Sequence, residues 1–215
     1  MKTSEKKIIC ITGLDGTGKN TLIENLKPLL PPFYLANIWD LLEGDFKERP
    51  FTSKREVDGY LCNLTANSRL LFLAHALKFS IDKALQSSDN IIVVNGYFYK
   101  YFASELALNA SENLVEALIQ NFVKPNLVIE LLLSPQVAAE RKKRFSRYEC
   151  GLSKDANANQ FIDFQQKASP FWNNFLHTNW HKISTEGSEK ESKDLAVNIL
   201  TTTGFISQNP QNISI

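Results

Sequence analysis

Residues 8 to 21 read Ile8-Ile9-Cys10-Ile11-Thr12-Gly13-Leu14-Asp15-Gly16-Thr17-Gly18-Lys19-Asn20-Thr21. The apolar run over 8–11 has the length of a buried strand, and Leu22, Ile23 and Leu26 return at helical spacing beyond the glycines. A glycine-rich turn that leaves a strand, carries a lysine and opens a helix is the pattern of a phosphate-binding loop. Its glycines let consecutive backbone N–H groups turn inward around a polyphosphate, and the helix adds its positive N-terminal end. The cofactor-binding set is then Gly13, Asp15, Gly16, Thr17, Gly18, Lys19, Asn20 and Thr21, with Lys19 as the point charge on the β and γ phosphates of ATP.

One position departs from the pattern. Asn20 stands where the motif has Ser or Thr to offer a hydroxyl to Mg2+. Its side-chain oxygen is a hard donor, which makes Asn20 the metal candidate, but the amide is bulkier than a hydroxyl and needs the correct flip. Thr21 is no simple replacement, because one helical step turns its side chain by roughly 100°. Asp15, within the loop, is a candidate to hold metal-bound water. The sequence therefore argues more strongly for ATP binding than for ordinary metal-assisted turnover.

The 215 residues, 43% hydrophobic and 22% charged, fit one globular domain over 1–202 followed by a polar tail over 203–215 that is expected to fray. The 24 basic and 23 acidic residues nearly cancel, so overall charge gives no reason to expect nucleic acid or an anionic membrane as partner. Cys10, Cys62 and Cys150 have no metal-ligand spacing and read as reduced thiols. Residues 1–7 are polar and no later segment has the length and apolarity of a bilayer span, so the expected location is cytoplasmic, with no membrane association.

Apolar runs over 33–39, 91–94, 127–133 and 180–184 give four further strands. Helical spacing predicts helices over 65–85, 97–108, 111–123, 160–176 and 190–200, and one that begins at Ser134-Pro135 and runs into the basic stretch 141–147. Residues 43–58 read as a loop or short mobile helix. Strand and helix alternate without internal repeat, so the fold class is α/β: a three-layer P-loop fold with a five-stranded parallel sheet, helices on both faces and a basic lid at about 142–158.

The loop over 13–19, the segment Lys124-Pro125-Asn126-Leu127-Val128-Ile129 continued by Ser134-Pro135-Gln136-Val137-Ala138-Ala139-Glu140-Arg141, and Arg147-Tyr148-Glu149 together resemble the thymidylate kinases among P-loop nucleoside monophosphate kinases. The resemblance spans most of residues 7–200. It implies an ATP-dependent transfer of the γ-phosphoryl group to a nucleoside monophosphate, with Mg2+ as cofactor and a homodimer as assembly. After the third strand, where that family carries an Asp-Arg pair, this chain has Asn95-Gly96-Tyr97. Its acceptor-helix arginine aligns with Ala76, and its Arg-Glu-Pro has become Trp39-Asp40-Leu41. Two alternatives stay open: a nucleoside kinase, whose acceptor needs no phosphate clamp, and a catalytically impaired nucleotide-binding protein acting as sensor or scaffold.

Phosphoryl transfer calls for cations around the migrating group, so Arg141, Arg144 and Arg147 join Lys19 as catalytic candidates. Glu140 precedes Arg144 by four residues, and a helix-supporting pair explains that arginine equally well. Asp40, Arg69, Phe72 and Tyr97 are the substrate-binding candidates, with Lys100 and His75 as weaker ones. Phe145 and Tyr148 offer stacking faces beside the basic run, but without a wider basic surface they do not make a nucleic-acid site.

Overall fold

The computed structural model describes residues 6–43 and 51–207. In chain order it contains β1 (Lys7–Gly13), α1 (Lys19–Leu26), β2 (Phe33–Asn37), α2 (Asp40–Glu43), α3 (Lys54–Leu61), α4 (Ala66–Gln86), β3 (Ile91–Asn95) and α5 (Tyr97–Ala107). There follow α6 (Glu112–Ile119), β4 (Leu127–Leu132), α7 (Pro135–Arg141), α8 (Ala158–Ala168), β5 (Trp180–Ser184) and α9 (Glu189–Thr202). The strands form one sheet in the order β2-β3-β1-β4-β5, and every neighbouring pair is parallel.

β1 lies at the centre, hydrogen-bonded to β3 on one side and β4 on the other. Its continuous apolar run follows from that position, since both faces are covered. Alternation along the strand divides the core in two. Ile8 and Cys10 face the cluster built with Leu70, Leu77 and Ile81 of α4 and Phe98 and Phe102 of α5. Ile9 and Ile11 face Leu22, Ile23 and Leu26 of α1 and Ala196 and Leu200 of α9. The loop after β1 therefore emerges at the C-terminal edge of the sheet, between chains that diverge to opposite faces, which is where ligands of open α/β sheets collect.

Several boundaries differ from expectation for local reasons. Ser134 accepts from Val137 N and Pro135 occupies the first turn of α7, as the sequence indicates, but the helix stops at Arg141 because Lys142 is extended (φ −86°, ψ 136°). The basic run is thus not helical. The helix expected over 160–176 ends at Ala168 and tightens into a 3-10 turn, Ser169–Phe175, with Pro170 in its first turn and no N–H to continue the ladder. Within the segment expected as a loop or short helix, α3 begins at Lys54 behind a Ser53 cap, while 44–50 lie outside the described residues. The chain does not fray at once after Thr202: Phe205 is buried with the α1–α9 cluster, under the Lys7 ammonium at 5.5 Å. Residues 1–5 and 208–215 lie outside the described residues. Among those described, no helix is long and apolar enough to cross a membrane.

Candidate active site

Three glycines in the loop have positive φ: Gly13 (+141°), Gly16 (+83°) and Gly18 (+90°). At Gly13 a Cβ would fall 2.6 Å from the Leu131 carbonyl oxygen, and at Gly16 2.9 Å from that of Ala138, so the loop packs against β4 and α7 through bare backbone. The Thr17 hydroxyl closes the turn by donating to Leu14 O at 2.9 Å. Gly18 precedes α1 with no side chain to cap it, which leaves the first-turn N–H groups of the helix facing outward.

Lys19 folds back over this loop and donates to Gly13 O at 2.9 Å and Leu14 O at 2.6 Å. Burial, with the Lys100 and Lys142 ammoniums nearby, pushes its amine down to about 7 against the opposing pull of Asp15. Above the loop lies a cavity of about 370 Å³ whose charged lining is Lys19, Lys54, Lys100 and Lys142 with Asp15. Lys100 Nζ meets Asp15 Oδ1 at 2.6 Å. Burial would raise the Asp15 carboxyl, but Lys100, then Lys19 and Lys142, hold it at about 2. Lys142 pairs with Glu149 at 3.1 Å, yet burial and the nearby Asp15 raise the Glu149 carboxyl.

The Asn95 side-chain amide donates to Asn20 Oδ1 at 2.7 Å, bridging the end of β3 and the first turn of α1. This bond bears directly on magnesium. At the motif's metal position one lone pair of Asn20 Oδ1 is taken by a neutral donor, and the loop's own carboxylate, Asp15, is paired with Lys100. Among the described residues, no group of three or more His, Cys, Asp and Glu side chains could hold a metal ion. The donor set does not fit a cation held by the protein.

A second cavity, also about 370 Å³, continues from the first and shares Asp15, Asn20, Trp39, Lys54, Lys100 and Tyr101 with it. Its walls are aromatic and apolar, with Trp39, Phe72, Tyr101 and Tyr148 among them. Phe72 is braced edge-on by Phe51 at 5.7 Å and Tyr60 at 5.3 Å between ring centroids, and Lys54 Nζ lies 4.8 Å from the Trp39 ring. Asp58 of α3 accepts from the backbone N–H groups of Arg147 (3.3 Å) and Tyr148 (3.0 Å), fastening the segment after α7 over this cavity.

Of the candidates singled out in the sequence, Phe72, Lys100, Tyr148 and the loop residues Asp15 and Asn20 line this second space. Arg69 does not: it is 1% exposed, with Nε 2.9 Å from each Glu105 oxygen and Nη1 3.0 Å from Leu64 O. Asp40 is buried and accepts from Ser80 Oγ at 2.6 Å and Asn37 N at 3.2 Å. Tyr97 is fully buried, with its hydroxyl on Val123 O at 2.8 Å and φ at +30°. His75 is exposed on α4. Arg141 lines a different cavity, about 610 Å³, on the opposite side of the loop with Gly16, Thr21, Thr185 and Gly187. Arg144 is exposed, and the Arg147 guanidinium reaches Ser153 O and Leu152 O at 3.4 and 3.5 Å. Sequence reasoning passed over Lys54, Lys142 and Tyr101. Lys142 stood in the basic run, where attention went to its arginines.

The chain is 26% identical over 147 residues to a probable thymidylate kinase of Methanocaldococcus jannaschii, covering 67% of this chain and 74% of that protein. It is 27% identical over 145 residues to probable thymidylate kinase 1 of Saccharolobus solfataricus, covering 64% and 71%. Among solved structures, thymidylate kinase from Candida albicans superposes with a TM-score of 0.64 at 20% identity over 93% of each chain. Deoxyadenosine kinase from M. mycoides with bound dATP gives 0.63 at 18% identity, over 90% of this chain and 98% of the other. These two share the fold. No family model matches the chain.

Proposed function

We propose that this thymidylate kinase-like chain is an ATP-dependent nucleotide kinase that transfers the γ-phosphoryl group to a nucleoside monophosphate. The observation that carries the reading is the pair of contiguous cavities. One is built mainly from the glycine loop and lysines, the other mainly from apolar and aromatic side chains, and Asp15, Asn20, Trp39, Lys54, Lys100 and Tyr101 stand on their common wall. A donor triphosphate on the first and an acceptor base against the second bring the γ phosphate and the acceptor to that wall.

In this arrangement the loop N–H groups and the open end of α1 grip the phosphates. Lys19 leaves its two carbonyl partners for the β and γ oxygens. Lys100 and Lys142 stabilise charge as it spreads over the migrating group, which is the main demand of phosphoryl transfer. Phe72, Trp39 and Tyr101 stack on the acceptor base. Arg141 reaches the donor from the far side of the loop, through the cavity it shares with Thr185 and Gly187. Arg144 and Arg147, which line no such cavity, would act only after the lid moves. Magnesium bound with the nucleotide would supply further charge neutralisation, and no residue here is assigned to hold it.

The Asn20–Asn95 bond supports a second reading, a nucleotide-binding protein with reduced catalysis. ADP release from ATP, measured against a panel of nucleoside monophosphates and nucleosides with Lys19→Ala as control, separates the two. Release that depends on one nucleoside monophosphate and vanishes in the control is the expected result. ATP binding without release under any acceptor favours the second reading, and release with nucleosides alone would reassign the acceptor.

A further inference from the structure

We infer that the phosphate side of this site binds nucleoside triphosphate without anchoring a cation through any side chain of its own: lysine ammoniums meet the phosphate charge, and the neutral Asn20–Asn95 amide pair stands at the mouth of the loop. The inference rests on the nucleotide-binding part of the reading above and adds to it how the charge of the ligand is met.

Three observations converge. The amide pair joins two residues 75 apart in sequence across the mouth of the loop at 2.7 Å, so one of the two lone pairs of Asn20 Oδ1 is already taken by a neutral donor. Two neutral amides satisfy one another without the negative charge that attracts Mg2+, an ion that gives up its water reluctantly. The carboxylate closest to the loop is neutralised by Lys100, at 2.6 Å, on a side chain only about one-eighth exposed. The charged lining of the cavity consists of four lysines and one aspartate gathered from α3, α5, the loop and the start of the lid, with Lys100 paired with Asp15 and Lys142 with Glu149. Drawn from four places in the chain, these ammoniums converge on one space, and a triphosphate relieves their mutual repulsion directly. A magnesium-complexed triphosphate brings less negative charge to the same lysines.

The test is a titration of the whole chain with a fluorescent ATP, once with excess EDTA and once with excess Mg2+. Dissociation constants within about threefold of each other are expected, because the protein offers the ion no ligand of its own. Tightening by Mg2+ of more than about threefold overturns the inference while leaving the kinase reading intact. Failure to bind in either medium sinks both, so the two failures are told apart. The variant Lys142→Ala, altered on the half-buried lid rather than in the core, provides an independent readout. Its affinity is expected to fall several-fold further in EDTA than in Mg2+, and equal losses in the two media count against the lysines taking the place of the cation. In the paired variant Asn20→Ser with Asn95→Asp, a dependence on Mg2+ that the native chain lacks is the expected gain.

Discussion

Lys100 and Asp15 meet on the wall between the two cavities, with Nζ 2.6 Å from Oδ1 and both side chains mostly buried. The pair links α5 to the phosphate-binding loop and fixes a carboxylate beside the place where the γ phosphate is expected. Removing the lysine leaves that carboxylate uncompensated against an anionic ligand. Lys100→Met should weaken ATP binding about tenfold, or ~1.4 kcal/mol, in a nucleotide titration. Adding Asp15→Asn should restore part of the loss, and equal affinities for native and Lys100→Met proteins would remove the pair from the binding machinery.

Arg69 is held by Glu105 and Leu64 O, in the core and away from the cavities. Removing one partner of a buried ion pair strands the other, so Arg69→Met should cost about 3–5 kcal/mol in chemical denaturation. The acceptor KM should stay within about twofold in whatever fraction remains folded. A variant of native stability with a much raised acceptor KM would return Arg69 to the substrate.

Phe72 presents a ring to the aromatic cavity and is braced by Phe51 and Tyr60. Phe72→Ala should raise the acceptor KM about tenfold, equivalent to ~1.4 kcal/mol, and leave the KM for ATP nearly unchanged. Steady-state kinetics with each substrate varied in turn would reveal the opposite pattern if ATP, rather than the acceptor, used this cavity.

Lys19 carries a pH signature. Its amine sits at about 7 in the ligand-free fold, against 10.5 ordinarily, because burial and neighbouring ammoniums disfavour the charge. Between these values the unfolded chain holds the extra proton, so this group makes the ligand-free protein more stable as pH rises from about 7 towards 10.5, and the full penalty is present below 7. A polyphosphate favours the ammonium and restores the proton. ATP binding at about pH 8 should therefore take up a proton, and affinity should fall as pH climbs above about 7. Calorimetry in two buffers of different ionisation enthalpy measures the uptake, which Lys19→Arg should abolish.

The glycine loop, the five strands and the long helix α4 were legible in the sequence because their signals are local: glycine spacing, apolar runs and a period of 3.6. The polar partnerships were not. Arg69 finds Glu105 36 residues away, Asn20 finds Asn95 75 away, Asp15 finds Lys100 85 away and the Arg147 backbone finds Asp58 89 away. Residue type alone made Arg69, Asp40 and Tyr97 good ligands on paper, and each is used instead to satisfy buried polar groups. Lys54 and Lys142 gave no signal for the converse reason. With Lys100, which the sequence offered only as a weak acceptor contact, they are spread over three segments, and only the parallel order β3-β1-β4, which brings the ends of β1 and β3 together under the start of the lid, gathers them at one loop.

Transfer of phosphate between the two cavities is tested most directly by following the group itself. ATP labelled at the γ position, incubated with the protein and each nucleoside monophosphate in turn, should deliver label to a single nucleoside diphosphate, with none delivered by Lys19→Ala. Label that stays in ATP, or appears only as inorganic phosphate although ATP binds, would contradict the kinase reading and leave a nucleotide-binding protein in its place.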